Sequence, residues 1–149
     1  MLFISHAPSE NTVALAGRCE AAMREMADNL RIMHKSSVQV TAGDVLRCDG
    51  LMLSTTENIG YMAGLTKDVF DRCYNDWLGH TDGLPAAFYI RAGLDGTATK
   101  KALSQMATSL NWRLVRPPLV LKGTYTEQFE DDVAEFGGAF AAGIEAGLF

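Results

Sequence analysis

The segment from Asp49 to Arg72, DGLMLSTTENIGYMAGLTKDVFDR, contains the pattern that decides the fold. Gly50–Ser54 is mostly apolar without alternation, which is typical of a strand buried on both faces of a parallel sheet. The polar and glycine-bearing residues of Thr55–Gly64 then predict a ten-residue loop, and loops of this length in compact domains are often functional. From Leu65 onward the apolar residues recur at helical spacing. Two i,i+4 pairs of opposite charge support this helix: Lys67 with Asp71, and Asp68 with Arg72.

The same alternation of strand and helix continues on both sides of this segment. It predicts an α/β fold of three layers, a five-stranded parallel sheet with helices on both faces. The other predicted strands are Met1–Ile4, Val38–Val40, Pro85–Ile90 and one within Arg113–Leu121.

Three smaller features refine this prediction. Pro117 and Pro118 must bulge the last strand or place it at an edge, because proline cannot donate a ladder hydrogen bond. Thr41–Leu46 is compatible with a short turn of helix. Thr124 and Glu127 have the spacing of a capping box and are expected to open the last helix.

Composition limits the classes of protein to consider. The 149 residues fit one domain, residues 1–149, and a net charge of -5 argues against nonspecific nucleic-acid binding. The chain has no apolar run of the roughly 20 residues that a membrane span needs. Three cysteines, an odd number without a CxxC motif, are expected to be small core or half-buried residues of a cytoplasmic protein: Cys19, Cys48 and Cys73.

Ligands of an open α/β sheet bind beyond the carboxyl ends of the strands, so the loops at that edge are the candidate site. The first, Ser5–Thr12, offers hydroxyl groups and the free N–H groups of a helix start, which attract phosphate. Glu10 would repel a phosphate unless its carboxylate points to solvent. The alternative is that Ser9 or Asn11 only caps the helix.

The second and third loops at this edge are suited to a flat ligand. Gly60 and Gly64 allow close approach of the backbone, and Tyr61 and Met62 offer flat or soft apolar surface. The third loop, Arg91–Gly96, has two glycines and could also be a plain turn. Neither a Rossmann fingerprint nor a phosphate loop of the GxxxxGK[ST] type is present. The three histidines are scattered and are expected to share no partner: His6, His34 and His80.

At these loops the chain resembles the flavodoxin-like superfamily, most closely its NAD(P)H-dependent FMN reductase and NAD(P)H:quinone oxidoreductase branch. Ser5–Thr12 looks like the phosphate loop of that family, although the family usually has Gly where Glu10 stands. Asp49–Gly64 resembles the strand and loop that bind the flavin ring, and Leu65–Arg72 matches the helix that follows.

The resemblance implies the strand order 2-1-3-4-5 and bound flavin mononucleotide (FMN) between the first and third strands. It implies a phosphate cradle formed by Ser5, Ser9, Asn11 and Thr12. It implies ring contacts from Thr56, Glu57, Asn58, Ile59, Gly60, Tyr61, Ala92 and Gly93. Tyr61 is expected to cover one ring face, with Tyr125 as a second candidate whose position the sequence does not give.

The expected function is therefore that of a flavoprotein oxidoreductase, which passes electrons from NAD(P)H through FMN to a quinone or similar acceptor. The cofactor supplies this chemistry, so no catalytic acid or base is required. Two alternatives remain open: an electron carrier of the flavodoxin type, and a binding module of the same fold without flavin. Reductases of this branch often dimerise, which leaves a homodimer as a further expectation.

Overall fold

The computed structural model describes residues 1–149, with seven strands and five helices. The strands are β1 (Leu2–Ser5), β2 (Met33–Ser36), β3 (Leu51–Asn58), β4 (Tyr61–Met62), β5 (Pro85–Ala92), β6 (Arg113–Leu114) and β7 (Leu119–Lys122). The helices are α1 (Glu10–Met26), α2 (Ala42–Leu46), α3 (Gly64–Trp77), α4 (Thr97–Ser109) and α5 (Gln128–Glu145). None of the five helices combines the length and the apolar composition needed to cross a membrane.

The sheet has the predicted order. β2, β1, β3 and β5 pair side by side, all in parallel. The predicted fifth strand is present as two pieces, β6 and β7, which both pair in parallel with β5. Pro117 and Pro118 lie between the two pieces, which explains the interruption. The predicted three-layer fold is confirmed, with β4 as an added antiparallel strand on β3.

Each face of the sheet is covered by helices. One core packs α2, α3 and α4 against residues such as Ile4 and Phe88, and the other packs α1 and α5 against Phe3. Successive residues of β1 therefore enter opposite cores, which is why the strand reads as an unbroken apolar run.

The three cysteines are free thiols within or beside these cores. Cys19 and Cys73 are buried and Cys48 is half-buried. Burial raises the pKa of Cys19 to about 12 and that of Cys48 to about 11, so both thiols stay protonated at neutral pH. These observations agree with the predicted role as small core residues.

Two local predictions are wrong. The second strand is Met33–Ser36, not Val38–Val40, because the edge strand pairs only with β1 and is half-exposed, without an apolar pattern. Val38 is largely exposed, and Val40 packs into the core beyond the strand. The capping box of Thr124 and Glu127 does not form, because α5 begins at Gln128 with Glu127 as its N-cap and Thr124 lies before the helix. Phe129 N and Glu130 N donate instead to the backbone oxygens of Thr126 and Glu127.

Candidate functional site

The carboxyl ends of β1, β3 and β5 meet at one edge of the sheet, where the chain order reverses between β1 and β3. Hydrogen bonding joins the loops there: His6 N donates to Ser54 O over 3.0 Å. Thr56 and Arg91 are partners in the register of β3 and β5. The three segments predicted to form the site are therefore neighbours at this edge.

The loop after β1 ends in a well-formed helix start. Ser9 is the N-cap of the 17-residue helix α1, and Thr12 completes a capping box with it. Ser9 N donates to Thr12 Oγ1 over 2.9 Å, and Thr12 N donates to Ser9 Oγ over 3.4 Å. The backbone N–H groups of Glu10 and Asn11 have no acceptor within the protein. These two groups, with the positive end of the helix dipole, are the donors free for an anion.

Both readings of this loop are thus compatible with the structure. Ser9 does cap the helix, and the loop still keeps two unused donors. The Glu10 side chain is exposed and makes no hydrogen bond or ion pair.

Ser5 has a different environment from the rest of the predicted phosphate cradle. Its side chain is only 7% exposed, and its Oγ lies 2.8 Å from Nε2 of His34. The other ring nitrogen of His34 lies 2.6 Å from Glu20 Oε2. The three histidines share no partner, but His34 has two partners of its own that the sequence does not reveal. No local signal shows this contact, because the strand order alone brings the three residues together.

A cavity of about 240 Å³ lies beside Ser5 at the carboxyl edge. It is lined by Ser5–Pro8, Ser36–Val38 and Leu65. A larger cavity of about 480 Å³ lies at the opposite, amino end of the strands, where Arg31, Asp44 and Arg47 contribute to its wall. We place the candidate site at the carboxyl edge, because ligands of open α/β sheets bind there.

The prediction that Thr55–Gly64 forms a long loop is wrong, because most of this segment is a β-hairpin. β3 continues to Asn58, and β4 pairs back on it to form a hairpin. The two-residue turn has positive φ at both positions, 52° at Ile59 and 71° at Gly60, as such hairpin turns require. Thr56 Oγ1 donates to Asn58 Oδ1 over 2.8 Å and steadies the approach to the turn.

The hairpin presents several of the predicted ring-contact residues on one projecting element. Ile59 is fully exposed, and Tyr61 is 40% exposed. Glu57 and Asn58 pair with Met62 and Tyr61 across the hairpin, so these residues belong to one two-stranded element. An exposed apolar tip and free backbone donors at the same edge of the sheet are the combination that a flat ring carrying a phosphate needs.

The loop after β5 contributes backbone more than side chains. Ala92 ends β5 and is buried, whereas Gly93 is exposed. Arg91 does not face an open site: its guanidinium donates to Leu121 O over 3.1 Å and to Gly123 O over 2.6 Å. The guanidinium also lies over the ring of Phe129. Arg91 therefore connects the end of β5 to the start of α5.

Tyr125, the second candidate for a ring contact, lies in the segment between β7 and α5. Its hydroxyl donates to Glu130 Oε1 over 2.6 Å, and this hydrogen bond raises the pKa of Tyr125 to about 12. The ring packs edge-on against Phe129, at 6.0 Å between centroids. These contacts hold Tyr125 against the start of α5.

The topology and the carboxyl-edge site define a three-layer α/β domain of the flavodoxin-like fold. No family model matches the sequence, and no curated protein matches it. Among solved structures, the chain is similar to a flavodoxin from the domain Archaea, with a TM-score of 0.80, 12% identity and coverage of 97% of each chain.

Two further structures show the same likeness. Oxidised Flavodoxin 1 from Bacillus cereus has a TM-score of 0.76 and 19% identity, with 93% of this chain and 95% of that chain covered. A WrbA-like flavodoxin from Agrobacterium tumefaciens has a TM-score of 0.73 and 11% identity, with 97% and 96% covered. At these identities the likeness establishes the fold along nearly the whole chain.

Proposed function

We propose that this domain binds FMN at the carboxyl edge and works as an oxidoreductase, passing electrons from NAD(P)H to a quinone or similar acceptor. The observation that carries the proposal is the pair of unused backbone N–H groups of Glu10 and Asn11. They lie at the start of α1, where the strand order reverses and where the fold has its ligand site. The flavodoxins of the same fold support the choice of flavin.

The residues at the edge fit the two ends of FMN. The loop from Ser5 to Thr12 would hold the phosphate, mainly through the backbone donors, since the Ser9 and Thr12 hydroxyls already take part in the helix cap. The hairpin from Thr56 to Tyr61 would contact the ring, together with Ala92 and Gly93. Ile59 and Tyr61 supply its exposed apolar surface.

When bound, flavin would supply the electron transfer, and the protein would hold and orient it. No acid or base need be placed at the ring for this, and the hairpin contributes apolar side chains and backbone groups instead. Three free thiols are typical of a reducing compartment, which is why we also propose a cytoplasmic location.

Glu10 offers a sharp test, because it is the first residue of α1 and proline is tolerated there. Ser9 has φ -136° and ψ 162°, a conformation that suits a residue before proline. Glu10→Pro removes both the carboxylate and one proposed phosphate donor, whereas the matched control Glu10→Gln removes only the charge.

We expect Glu10→Pro to bind FMN about tenfold or more weakly than Glu10→Gln, the usual effect of losing one hydrogen bond to a charged group. Riboflavin, which lacks the phosphate, should bind both variants equally. Equal FMN affinities of the two variants would contradict the phosphate site at this loop. The measurement is a titration followed by flavin fluorescence.

A second experiment separates the reductase from the electron carrier. The FMN-loaded protein is mixed with NADPH, and separately with NADH, without oxygen. A reductase loses the flavin absorbance rapidly with at least one of them and regains it when a quinone is added. A protein that binds FMN but stays oxidised is a carrier instead.

A further inference from the structure

Ser5, His34 and Glu20 form a continuous hydrogen-bonded chain below the β1–α1 loop. They come from three elements, β1, β2 and α1, and the ring of His34 also stacks on Phe3 with centroids 4.3 Å apart. Glu20 accepts two further hydrogen bonds from Arg24, at 2.7 and 3.1 Å. The imidazole is therefore held at both nitrogens and on one face.

The carboxylate of Glu20 determines which nitrogen of His34 carries a proton. Burial acts to raise the pKa of Glu20, but hydrogen bonds from Arg24 and His34 outweigh it and lower this pKa. Glu20 is thus ionised at neutral pH and can only accept hydrogen bonds, so His34 Nδ1–H donates to it. In the neutral imidazole Nε2 is then an acceptor, and the Ser5 hydroxyl donates to it.

Protonation of His34 reverses the hydrogen bond at Ser5. With neutral His34, the only proton of the Ser5 hydroxyl is used by Nε2, and Ser5 has none to offer a ligand. With protonated His34, Nε2–H donates to Ser5 Oγ, and the Ser5 O–H becomes free. A phosphate accepts hydrogen bonds from such donors, so the protonated state favours it, both through the free O–H and through the added positive charge.

We propose that His34 and Glu20 are positioning residues for Ser5, and that they couple phosphate binding at the β1–α1 loop to proton uptake by His34. The inference rests on the proposed function, in which the FMN phosphate binds at this loop. Ser5 lines the cavity there together with His6, Ala7 and Pro8. The loop contains no Lys or Arg, so a protonated His34 would be the cation that it lacks.

The charged and polar groups around His34 determine which control variants are needed. Helix α1 contributes Glu20 and also Arg24, which is hydrogen-bonded to Glu20. Strand β1 contributes the ring of Phe3 and the hydroxyl of Ser5. His6 lines the same cavity and also titrates, although burial lowers its pKa. The second ionisation of the FMN phosphate, with a pKa of about 6, is common to all variants.

The test compares FMN with riboflavin between pH 5.5 and 8.5 for the unmodified protein, His34→Gln, Ser5→Ala and the control His6→Gln. Between pH 5.5 and 8.5 the unmodified protein and His6→Gln should lose FMN affinity with rising pH by about tenfold more than His34→Gln. Ser5→Ala should lose the part of this pH dependence that the free O–H supplies. Riboflavin affinity should not show this difference. Identical FMN profiles for all four proteins would overturn the proposal.

A second measurement needs no variant. The ring nitrogen shifts of His34, followed by NMR, give its pKa in the free protein and in both complexes. By reciprocity, bound FMN should favour the protonated form of His34 by the same tenfold factor, and riboflavin should not. An unchanged pKa with bound FMN refutes this inference and leaves the proposed function standing. Failure of both flavins to bind refutes both.

Discussion

Ile59 adopts a backbone conformation that a β-branched residue rarely takes. Its φ is 52° and its side chain is fully exposed, so no packing within the protein offsets the strain. The left-handed conformation costs an ordinary residue roughly 1–2 kcal/mol. Such strain is typical of ligand sites, and the proposed flavin contact would give this apolar side chain a partner.

Ile59→Asn should therefore stabilise the protein, because asparagine tolerates the left-handed conformation. We expect the free energy of unfolding to rise by about 1 kcal/mol in urea denaturation. The same variant should bind FMN more weakly, because the apolar contact is lost. Ile59→Val keeps the branched side chain and should leave stability nearly unchanged. A loss of stability in Ile59→Asn would show that the turn depends on isoleucine.

The sequence predicts the cap of α1 because that signal is local. Ser9, one of the two predicted caps, is the N-cap in the structure, and Thr12 completes the capping box. The role of His34 could not be predicted in this way. Its partners, Ser5 and Glu20, are 29 and 14 residues away along the chain, and they meet only after β2 has paired with β1.

At the scale of elements, α1 and α5 pack closely because glycine stands at their contact. A Cβ atom at Gly137 would lie 2.5 Å from Cys19 Sγ and 3.2 Å from Met23 Cγ. Both of these side chains are fully buried in the same core, so neither can move into solvent. The helix interior would otherwise favour alanine over glycine.

Gly137→Ala should lower the free energy of unfolding by about 1–3 kcal/mol, because overpacking outweighs the gain in helix propensity. Gly17→Ala is the matched control, since a Cβ there has no neighbour within 4 Å. That control should stabilise the protein by about 0.5–1 kcal/mol. Equal effects of the two changes would contradict the close packing of α1 on α5.

Lys35 of β2 and Asp44 of α2 form an ion pair that links the edge strand to this helix. The Asp44 side chain is 5% exposed and accepts two hydrogen bonds of 2.8 Å from Lys35 Nζ. Burial acts to raise the pKa of Asp44, but Lys35 and Thr41 outweigh it and lower the pKa. A carboxyl with a lowered pKa stabilises the fold above its unfolded pKa of about 3.9, and this contribution is lost as pH falls through the folded pKa.

Asp44→Asn should thus cost about 2 kcal/mol at pH 7, somewhat less than a fully buried pair, since Lys35 remains partly exposed. The difference from the unmodified protein should shrink at pH 3 and below, as Asp44 itself becomes protonated. Asp71→Asn, which alters an exposed helical pair, should cost less than 0.5 kcal/mol at either pH. A difference that is the same at both pH values would contradict the account of this pair.

Strands that are buried on both faces of the sheet could be predicted from the sequence. The edge strand β2 and the hairpin of β3 and β4 could not. β1 and β5 have mostly apolar cores and lie close to their predicted positions, and so does the apolar part of β3, although β3 continues to Asn58. β2 is an edge strand whose Met33–Ser36 has no apolar pattern. The sequence does not predict the hairpin at Ile59, because its strand residues are polar and its turn holds isoleucine where glycine or asparagine is usual.

For the whole molecule, the alternation of strands and helices is enough to predict three layers and one site-bearing edge. The comparison with solved flavodoxins confirms this fold over nearly the full chain. The sequence predicts which loops share that edge, because parallel strands end together. It does not predict which donors remain unused, since that depends on how each loop satisfies its own hydrogen bonds, as the cap at Ser9 shows.

The central claim, that this edge binds FMN, is tested most directly by titrating FMN into the purified protein and following flavin fluorescence and thermal unfolding. We predict saturable quenching at one FMN per chain, tighter binding than for riboflavin, and a melting temperature that rises with FMN concentration. No saturable change in fluorescence and no shift of the melting temperature with excess FMN would contradict the claim.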